Sequence, residues 1–588
     1  MKNLFLILIS FFFAFQNNSY AGLGRDSLGA GGYKRDIEVN EIDEIEADAL
    51  EEDFKQKSIE SIELQNVDKD SIGTLYEGEG GLKYEMWEGT NRSFVEEYLK
   101  ILPVNTKSDI AIKLAKELLL TTANVPMGEG KEDLILLRIN KLIELGDLNN
   151  AHLLIQSLSS DQKKEEILKR ELEINLSLNN FDLVCSDIED ILKKFKTDLY
   201  WKKIQIFCQI LNEEIDKANL FISLIKENDN FDDKEFLNII ENLIYGEEID
   251  SQVLTNLNLL NLAMTRIGKI NLSEDLSFRE EPLFYSMLYR MPNVPIKVRL
   301  QALEKSQKLI NIPLDVVEEI YNSYEPTEEE MNIPLDDDFL YLGPAIQAIL
   351  YQRAIKETDS QIKGKILKKS IDLSLINGNY SLISQINLET ILEIKPSKDL
   401  AWFAGTATKT LFYLKKIDEA LEWYKILSKS RNNSSELFLE FVEIWPMVQI
   451  FKRYNPELEE SIRDISQDEI VASLNTITLK EEDFSMNTIG YYLLETYGVE
   501  INPKFWLVNL NNNSNKKLSM PNESLLSLLN HSAKTNKQGE TAMLILISIG
   551  DSNLSDISPF FLQMAIKSLD RIGLDEKARD LALESLIN

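Results

Sequence analysis

Reactive and metal-binding side chains are scarce in this chain of 588 residues, which has two cysteines and two histidines. His152 and His531 have no second histidine or cysteine at ligand spacing, so the sequence predicts no zinc site. The stretch 68–79 approaches the spacing of an EF-hand calcium loop, but Ile72 occupies a ligand position. HExxH, Walker A, GxSxG, dinucleotide-glycine and CxxC motifs are absent. We therefore predict no catalytic residue, no cofactor and no metal.

Positive charge is also in short supply. The chain has 63 Lys and Arg against 97 Asp and Glu, which gives a formal net charge of −34. Such a balance argues against binding to nucleic acid or to an anionic membrane surface. It is compatible with a basic partner, and equally with an acidic surface that keeps the protein in solution.

Long apolar runs are missing after the N-terminus. Residues 1–21 combine Lys2, the apolar run 4–15 and the small-residue site Ser19-Tyr20-Ala21, which is typical of a secretory signal peptide. The apolar run is short for a membrane span, although an uncleaved anchor is the alternative. We therefore expect a periplasmic bacterial protein, secreted through this signal and without stable membrane insertion after its cleavage.

Valine and threonine are sparse, whereas leucine, isoleucine, glutamate, lysine and asparagine abound, so we predict an all-α fold. Residues 22–85 are predicted to be an acidic, largely disordered segment, because 36–53 is a near-continuous run of acids. Helical periodicity follows, and acids with two prolines interrupt it at 324–338. The predicted organisation is two helical-repeat arrays, 86–323 and 339–588, joined by the acidic, proline-containing linker 324–338.

The clearest repeat unit is 401–430, which reads as two antiparallel helices joined by a tight turn. Small and large apolar residues alternate at helical spacing on both helices, so that the helices can approach closely. Such a pair cannot bury its apolar faces alone and needs neighbours on both sides, as in an α-solenoid. The unit resembles a degenerate tetratricopeptide repeat, an ordinary helical hairpin being the alternative. The residues at consensus spacing are Ala404, Ala407, Thr408, Leu411, Ala420, Tyr424 and Leu427.

Several short motifs resemble those of a wider group of proteins. They are 86–92 (MWEGTNR), 200–201 (YW) with Cys208, 401–404 (AWFA) and the tail 572–583. The chain is similar in these motifs to a family of secreted, helix-rich proteins of alphaproteobacteria. That resemblance implies a secreted protein and a helical fold, and it brings no catalytic residue or ligand.

The two cysteines are placed to form a bond. Cys185 lies in a helix predicted over 181–195, and Cys208 lies in one predicted over 199–212. Both stand about equally far from the turn between these helices and on inward-facing stripes, which allows the short Cα separation of a disulfide. In an oxidising compartment we predict a structural disulfide, with two buried free thiols as the alternative.

These observations together favour a non-catalytic binding or scaffold protein of the cell envelope. We expect it to bind other proteins or an envelope polymer through the concave face of its helical array. An envelope enzyme without a recognisable motif and a structural envelope spacer are the alternatives.

Overall fold

The computed structural model describes residues 68–587, except 196–197, 228–231, 255–256, 277–278, 308–311, 337–339, 456–464, 479–488 and 512–517. The predicted signal peptide and the acidic segment up to residue 67 lie outside the described residues. Within them the chain forms 29 α-helices and no β-strand, and the β-type pairing consists of isolated bridges. The predicted all-α class is therefore confirmed.

The helices follow one another with short connections. The first fourteen are α1 (Arg92–Lys100), α2 (Asp109–Leu120), α3 (Leu134–Glu144), α4 (Leu148–Gln156), α5 (Glu165–Ser177), α6 (Phe181–Ser186), α7 (Ile188–Lys194), α8 (Leu199–Leu211), α9 (Ile215–Lys226), α10 (Lys234–Tyr245), α11 (Leu259–Ile267), α12 (Pro282–Leu288), α13 (Ile296–Gln307) and α14 (Leu314–Ser323).

The remaining fifteen begin in the acidic segment after α14. They are α15 (Glu328–Met331), α16 (Ile346–Lys356), α17 (Ser360–Asn377), α18 (Tyr380–Ile386), α19 (Leu388–Leu392), α20 (Ala401–Tyr413), α21 (Ile417–Ser430), α22 (Ser435–Tyr454), α23 (Gln467–Thr478), α24 (Ile489–Thr496), α25 (Pro503–Asn511), α26 (Glu523–Lys534), α27 (Gln538–Ile549), α28 (Pro559–Arg571) and α29 (Asp575–Glu584).

Many turns between consecutive helices share one backbone pattern. In the α20–α21 turn, Lys415 N–H donates to the carbonyl of Phe412 (3.0 Å) and Lys416 N–H donates to that of Leu411 (2.8 Å). This is the Schellman motif, which satisfies the last carbonyls of a helix and needs one residue with positive φ. The same two bonds close eight turns, whose positive-φ residues are Gly146, Asn179, Glu213, Lys269, Lys415, Gly498, Asn536 and Gly573.

The hairpin α20–α21 packs against neighbouring helices on both sides along the chain, α17 and α22. Its two helices contact each other, and both contact α22. The ring of Tyr424 stacks on Phe441 of α22, with ring centroids 5.7 Å apart. All six residues singled out for repeat packing are buried in this hairpin, and they are Ala404, Ala407, Leu411, Ala420, Tyr424 and Leu427.

The disulfide predicted from the sequence is present. Cys185 of α6 and Cys208 of α8 have their sulfur atoms 2.05 Å apart and their Cα atoms 5.5 Å apart. The helix predicted over 181–195 is divided at Asp187, which lies between α6 and α7 with a non-helical backbone. The bond ties α6 to α8 inside the second of the two hydrophobic cores described next.

Two hydrophobic cores run through the described chain. The first takes its residues mainly from 82–174 and 346–587, and the second takes them from 172–386. Each core contains residues from both sides of the predicted linker 324–338. The packing therefore does not divide at this linker as the two predicted arrays would. The reason is that this segment is itself packed: Tyr324 and Ile333 are buried, and Gln352 Nε2 donates to the carbonyl of Tyr324 at 2.8 Å.

The described part of the segment that was predicted to be disordered is folded. Residues 68–85 fold against α2 and α3, with the N–H of Thr74 donating to Leu120 O at 2.8 Å. The buried side chain of Arg138 holds this segment, because it donates to Ile72 O (2.7 Å) and to Leu119 O (2.8 Å). The pattern of charged side chains did not predict this contact, because Arg138 binds backbone carbonyl groups.

The first and last parts of the described chain lie side by side. Helix α2 packs against both α27 and α29, and α1 also contacts α27. In an open solenoid each repeat contacts only its neighbours along the chain. This contact between the ends creates the cavity that we describe next.

Candidate functional site

A cavity of about 590 Å³ lies where α2, the α20–α21 turn and α29 meet. Its other walls come from the start of α14, from α18 and α19, and from the end of α22. Pockets of this volume are typical of small-molecule binding sites. The largest part of the wall is apolar, and the residues that form it include Ile110, Leu314, Leu388, Phe412, Phe451 and Leu583.

Glu584 forms one end of this cavity and closes the contact between the chain ends. Its carboxylate accepts hydrogen bonds from the Ser108 hydroxyl (2.8 Å) and from the backbone N–H groups of Asp109 (2.7 Å) and Ile110 (3.1 Å). These N–H groups belong to the first turn of α2, where no intrahelical acceptor exists. A residue of the last helix therefore caps the second helix of the fold.

Asp109 is the second acid at this point, and it is partly buried. Its carboxylate accepts a hydrogen bond from the Tyr413 hydroxyl, which comes from the end of α20. Burial raises the pKa of Asp109, while the Ser381 hydroxyl and the ammonium groups of Lys113 and Lys116 act in the opposite direction.

The two carboxyl groups influence each other. Burial and the neighbouring Asp109 together raise the pKa of Glu584 to about 8, against the effect of the three hydrogen-bond donors. Two carboxylates that share a buried site cannot both ionise readily. We infer that the pair Asp109–Glu584 retains one proton at neutral pH.

Cationic side chains stand along another part of the wall. Lys415, at the α20–α21 turn, has its Nζ 3.3 Å from Asp580 Oδ2, and Arg579 Nε lies 3.6 Å from Asp580 Oδ1. Lys113, one turn after Asp109 on α2, is exposed to the cavity and makes no hydrogen bond or ion pair with the described residues. Three cations therefore line this part of the wall together with one acid, Asp580.

A second set of contacts supports the meeting of the chain ends. The Trp87 ring lies against Gly539 of α27, where an added Cβ would be 2.8 Å from Trp87 Cε3. Next to it, the Thr90 hydroxyl and Glu540 Oε2 are 3.1 Å apart, and Lys83 N–H donates to Gln538 Oε1 at 2.7 Å. A glycine at position 539 is therefore required by the close approach of the indole.

The residues that the sequence singled out do not line the cavity. The disulfide lies in the second core, and the repeat-packing residues Ala404, Ala407, Leu411, Ala420, Tyr424 and Leu427 lie inside their hairpin. The hairpin contributes its turn instead, through Tyr413 and Lys415. Among the described residues no cluster of three or more His, Cys, Asp or Glu could hold a metal ion. In the calcium-like stretch, Asp70 is bound by Arg92 at 2.7 Å.

Sequence reasoning missed Asp109, Tyr413 and Glu584. Ser108-Asp109 shows only an ordinary helix start, and Glu584 is one acid among 97 Asp and Glu. No local pattern could pair Glu584 with Asp109, because 475 positions separate them.

Comparison of the chain with protein-family models, with curated proteins and with solved structures gave no match. The tetratricopeptide-like and alphaproteobacterial resemblances therefore rest on the sequence motifs alone. No helix within the described ranges has the length and apolar character needed to cross a bilayer.

Proposed function

We propose that this chain is a non-catalytic binding protein of the bacterial cell envelope. In this proposal it is a tetratricopeptide-like array of helical hairpins that acts in the periplasm after removal of residues 1–21. The observation that carries the proposal is the cavity of about 590 Å³ between α2, the α20–α21 turn and α29. A ligand in that cavity would contact the first and the last parts of the fold at once.

The use of the two acids favours binding over catalysis. Carboxyl pairs with raised pKa values are common in enzyme active sites, and this pair is the reason why an envelope enzyme is the second candidate. Both oxygens of Glu584, however, already accept hydrogen bonds from Ser108 and from the N-terminus of α2. Asp109 is likewise engaged by Tyr413. We therefore assign the pair to holding the chain ends together.

The partner is proposed to be a protein or a polymer of the envelope, part of which enters the cavity. Its site would be the contact between the ends rather than a concave face of the array. Because Leu314 and Gln385 stand at exposed positions of the wall, a ligand can reach the cavity past them. A structural spacer would need no such access.

Photocrosslinking in cells tests this proposal. A photoreactive phenylalanine analogue replaces Gln385, which lines the cavity, or, as a matched control, Leu153, an exposed residue of α4 outside it. We expect one reproducible adduct from position 385 that position 153 does not give. Mass spectrometry of the adduct identifies a protein, a polymer or a small molecule.

The absence of an adduct at position 385, or the same adducts from both positions, would contradict the proposal and favour a spacer. The enzyme alternative predicts that the cavity ligand is chemically altered in cells that make the unchanged protein. It predicts an unaltered ligand in cells that make Asp109→Asn.

A further inference from the structure

The chemical character of the cavity wall limits what can bind there. Most of the wall is apolar, and this part includes Leu388, Phe412 and Phe451. Removing such surface from water favours a ligand with a large apolar part, because burial contributes roughly 25 cal/mol per Å². A strongly hydrated sugar chain or a short polar peptide would leave this part without a matching surface.

Charged side chains line another part of the wall. Lys113, Lys415 and Arg579 line it, and Asp580 is the acid that faces two of these cations. The ammonium of Lys113 is left without an ion pair among the described residues. The two acids that interact electrostatically with Lys113 are already engaged, Asp109 by the Tyr413 hydroxyl and Glu117 by the ammonium of Lys577. This part of the wall therefore attracts an anion, although the chain as a whole has a net charge of −34.

We propose that the cavity binds an amphiphile with an apolar body and a single anionic head group, with the body against Phe412 and Phe451 and the head group beside Lys113. The head group is a carboxylate or a phosphate monoester, as in a fatty acid or a lipid fragment. This inference rests on the proposed binding function and names the class of ligand. It replaces the basic partner that the net charge suggested, because the cations of the cavity wall lie nearer to the ligand than the acids of the outer surface.

Binding of a fluorescent fatty acid tests the proposal directly. The probe is 11-(dansylamino)undecanoic acid, titrated into the purified protein. Dodecanoate, dodecyl phosphate and dodecan-1-ol then compete with it, so that the three competitors share one chain length and differ in head group. We expect each anion to displace the probe about tenfold more effectively than the alcohol, because a charge-assisted hydrogen bond is added. The stronger anion distinguishes a fatty acid from a phosphorylated lipid fragment.

Three variants locate the site. Lys113→Glu should abolish or reverse the preference for anions, and Lys131→Glu, which makes the same charge change at an exposed position outside the cavity, should leave it intact. Gln385→Trp fills the cavity from an exposed position and should weaken all three competitors about equally. This third variant keeps the test valid even if Lys113→Glu disturbs the neighbouring Asp109.

Equal displacement by the alcohol and the anions, or an anion preference that survives Lys113→Glu, would overturn the proposal. Failure of the probe to bind would do the same. If a specific adduct still forms at position 385 in cells, the binding function stands and only the ligand class is wrong. If both experiments fail, the binding function fails with it.

Discussion

The backbone N–H of Asp109 lies 2.7 Å from Glu584 Oε1, although 475 positions separate the two residues in the chain. The carboxyl group of the last helix thus occupies the N-terminus of α2, where the helix dipole and free N–H groups favour an acceptor. This contact contributes to the cavity wall and is one of several that join the two ends of the described chain.

Replacement of Glu584 by alanine should destabilise the protein by about 3 kcal/mol. The change removes a helix cap and leaves buried N–H groups of α2 without an acceptor. Urea unfolding at neutral pH measures the loss. Glu584→Gln, which keeps one acceptor oxygen, is the control and should cost about 1 kcal/mol. A loss below about 0.5 kcal/mol for the alanine variant would show that the contact is not formed in solution.

The raised pKa of Glu584 predicts a stability that falls as pH rises. The folded state holds the proton with a pKa of about 8, whereas the ordinary value is 4.5. The contribution is therefore complete below about pH 4.5 and is lost as pH rises through 8. The slope is at most about 1.4 kcal/mol per pH unit.

Unfolding free energies between pH 5 and 9, compared for the unchanged protein and Glu584→Gln, isolate this effect. The comparison is needed because other groups also titrate in this range: burial lowers the pKa of His152 below its ordinary value of 6.5, which makes stability rise with pH. As pH increases, the unchanged protein should lose stability relative to the glutamine variant. A difference between the two that does not vary with pH would contradict the assignment.

Loss of the Cys185–Cys208 bond should cost about 3 kcal/mol, because the bond closes a loop with a sequence separation of 23 and restricts the unfolded chain. Reductant should lower the thermal midpoint of the unchanged protein. The double variant Cys185→Ala with Cys208→Ala should start from the lower midpoint and show no response to reductant. An equal response in both proteins would mean that the bond does not contribute.

Arg138→Met should release the segment 68–85 from the rest of the fold. The guanidinium of Arg138 is buried and binds backbone carbonyls of this segment and of α2, so its loss should cost about 3–5 kcal/mol. Hydrogen exchange should rise in peptides covering 68–85 and stay unchanged in those covering 401–430.

Arg170→Met provides the matched control for this prediction. Its side chain is 41% exposed and pairs with Glu173 three positions away, so its loss should change stability by less than about 1 kcal/mol. If both arginine variants have the same exchange pattern, Arg138 does not hold the segment.

Patterns between near neighbours in the chain carried the successful predictions. The apolar spacing of 401–430 predicted two helices and a turn, and the structure has α20, α21 and a Schellman turn at Lys415. Equal distances from one turn predicted the pairing of Cys185 with Cys208. Both inferences depend on contacts within a single hairpin, where helical geometry relates sequence spacing to position in space.

Contacts between distant parts of the chain escaped prediction. Residues 68–85 were predicted to be disordered because the segment 22–85 is acidic. Arg138 binds a backbone carbonyl of this stretch, and side-chain composition carries no information about such a bond. Trp87 is buried, yet nothing in the sequence pointed to Gly539 as the surface against which its ring lies.

The amino-acid sequence by itself determined the helices, their turns and the disulfide, because these depend on hydrogen bonds and packing between residues near each other in the chain. Only the tertiary structure decided that the chain ends meet, that Glu584 caps α2 and that Lys113 faces a cavity. These features depend on the summed rotations of many successive hairpins, and small differences in each packing angle accumulate along the chain. The position of the cavity is therefore a property of the whole fold rather than of any motif.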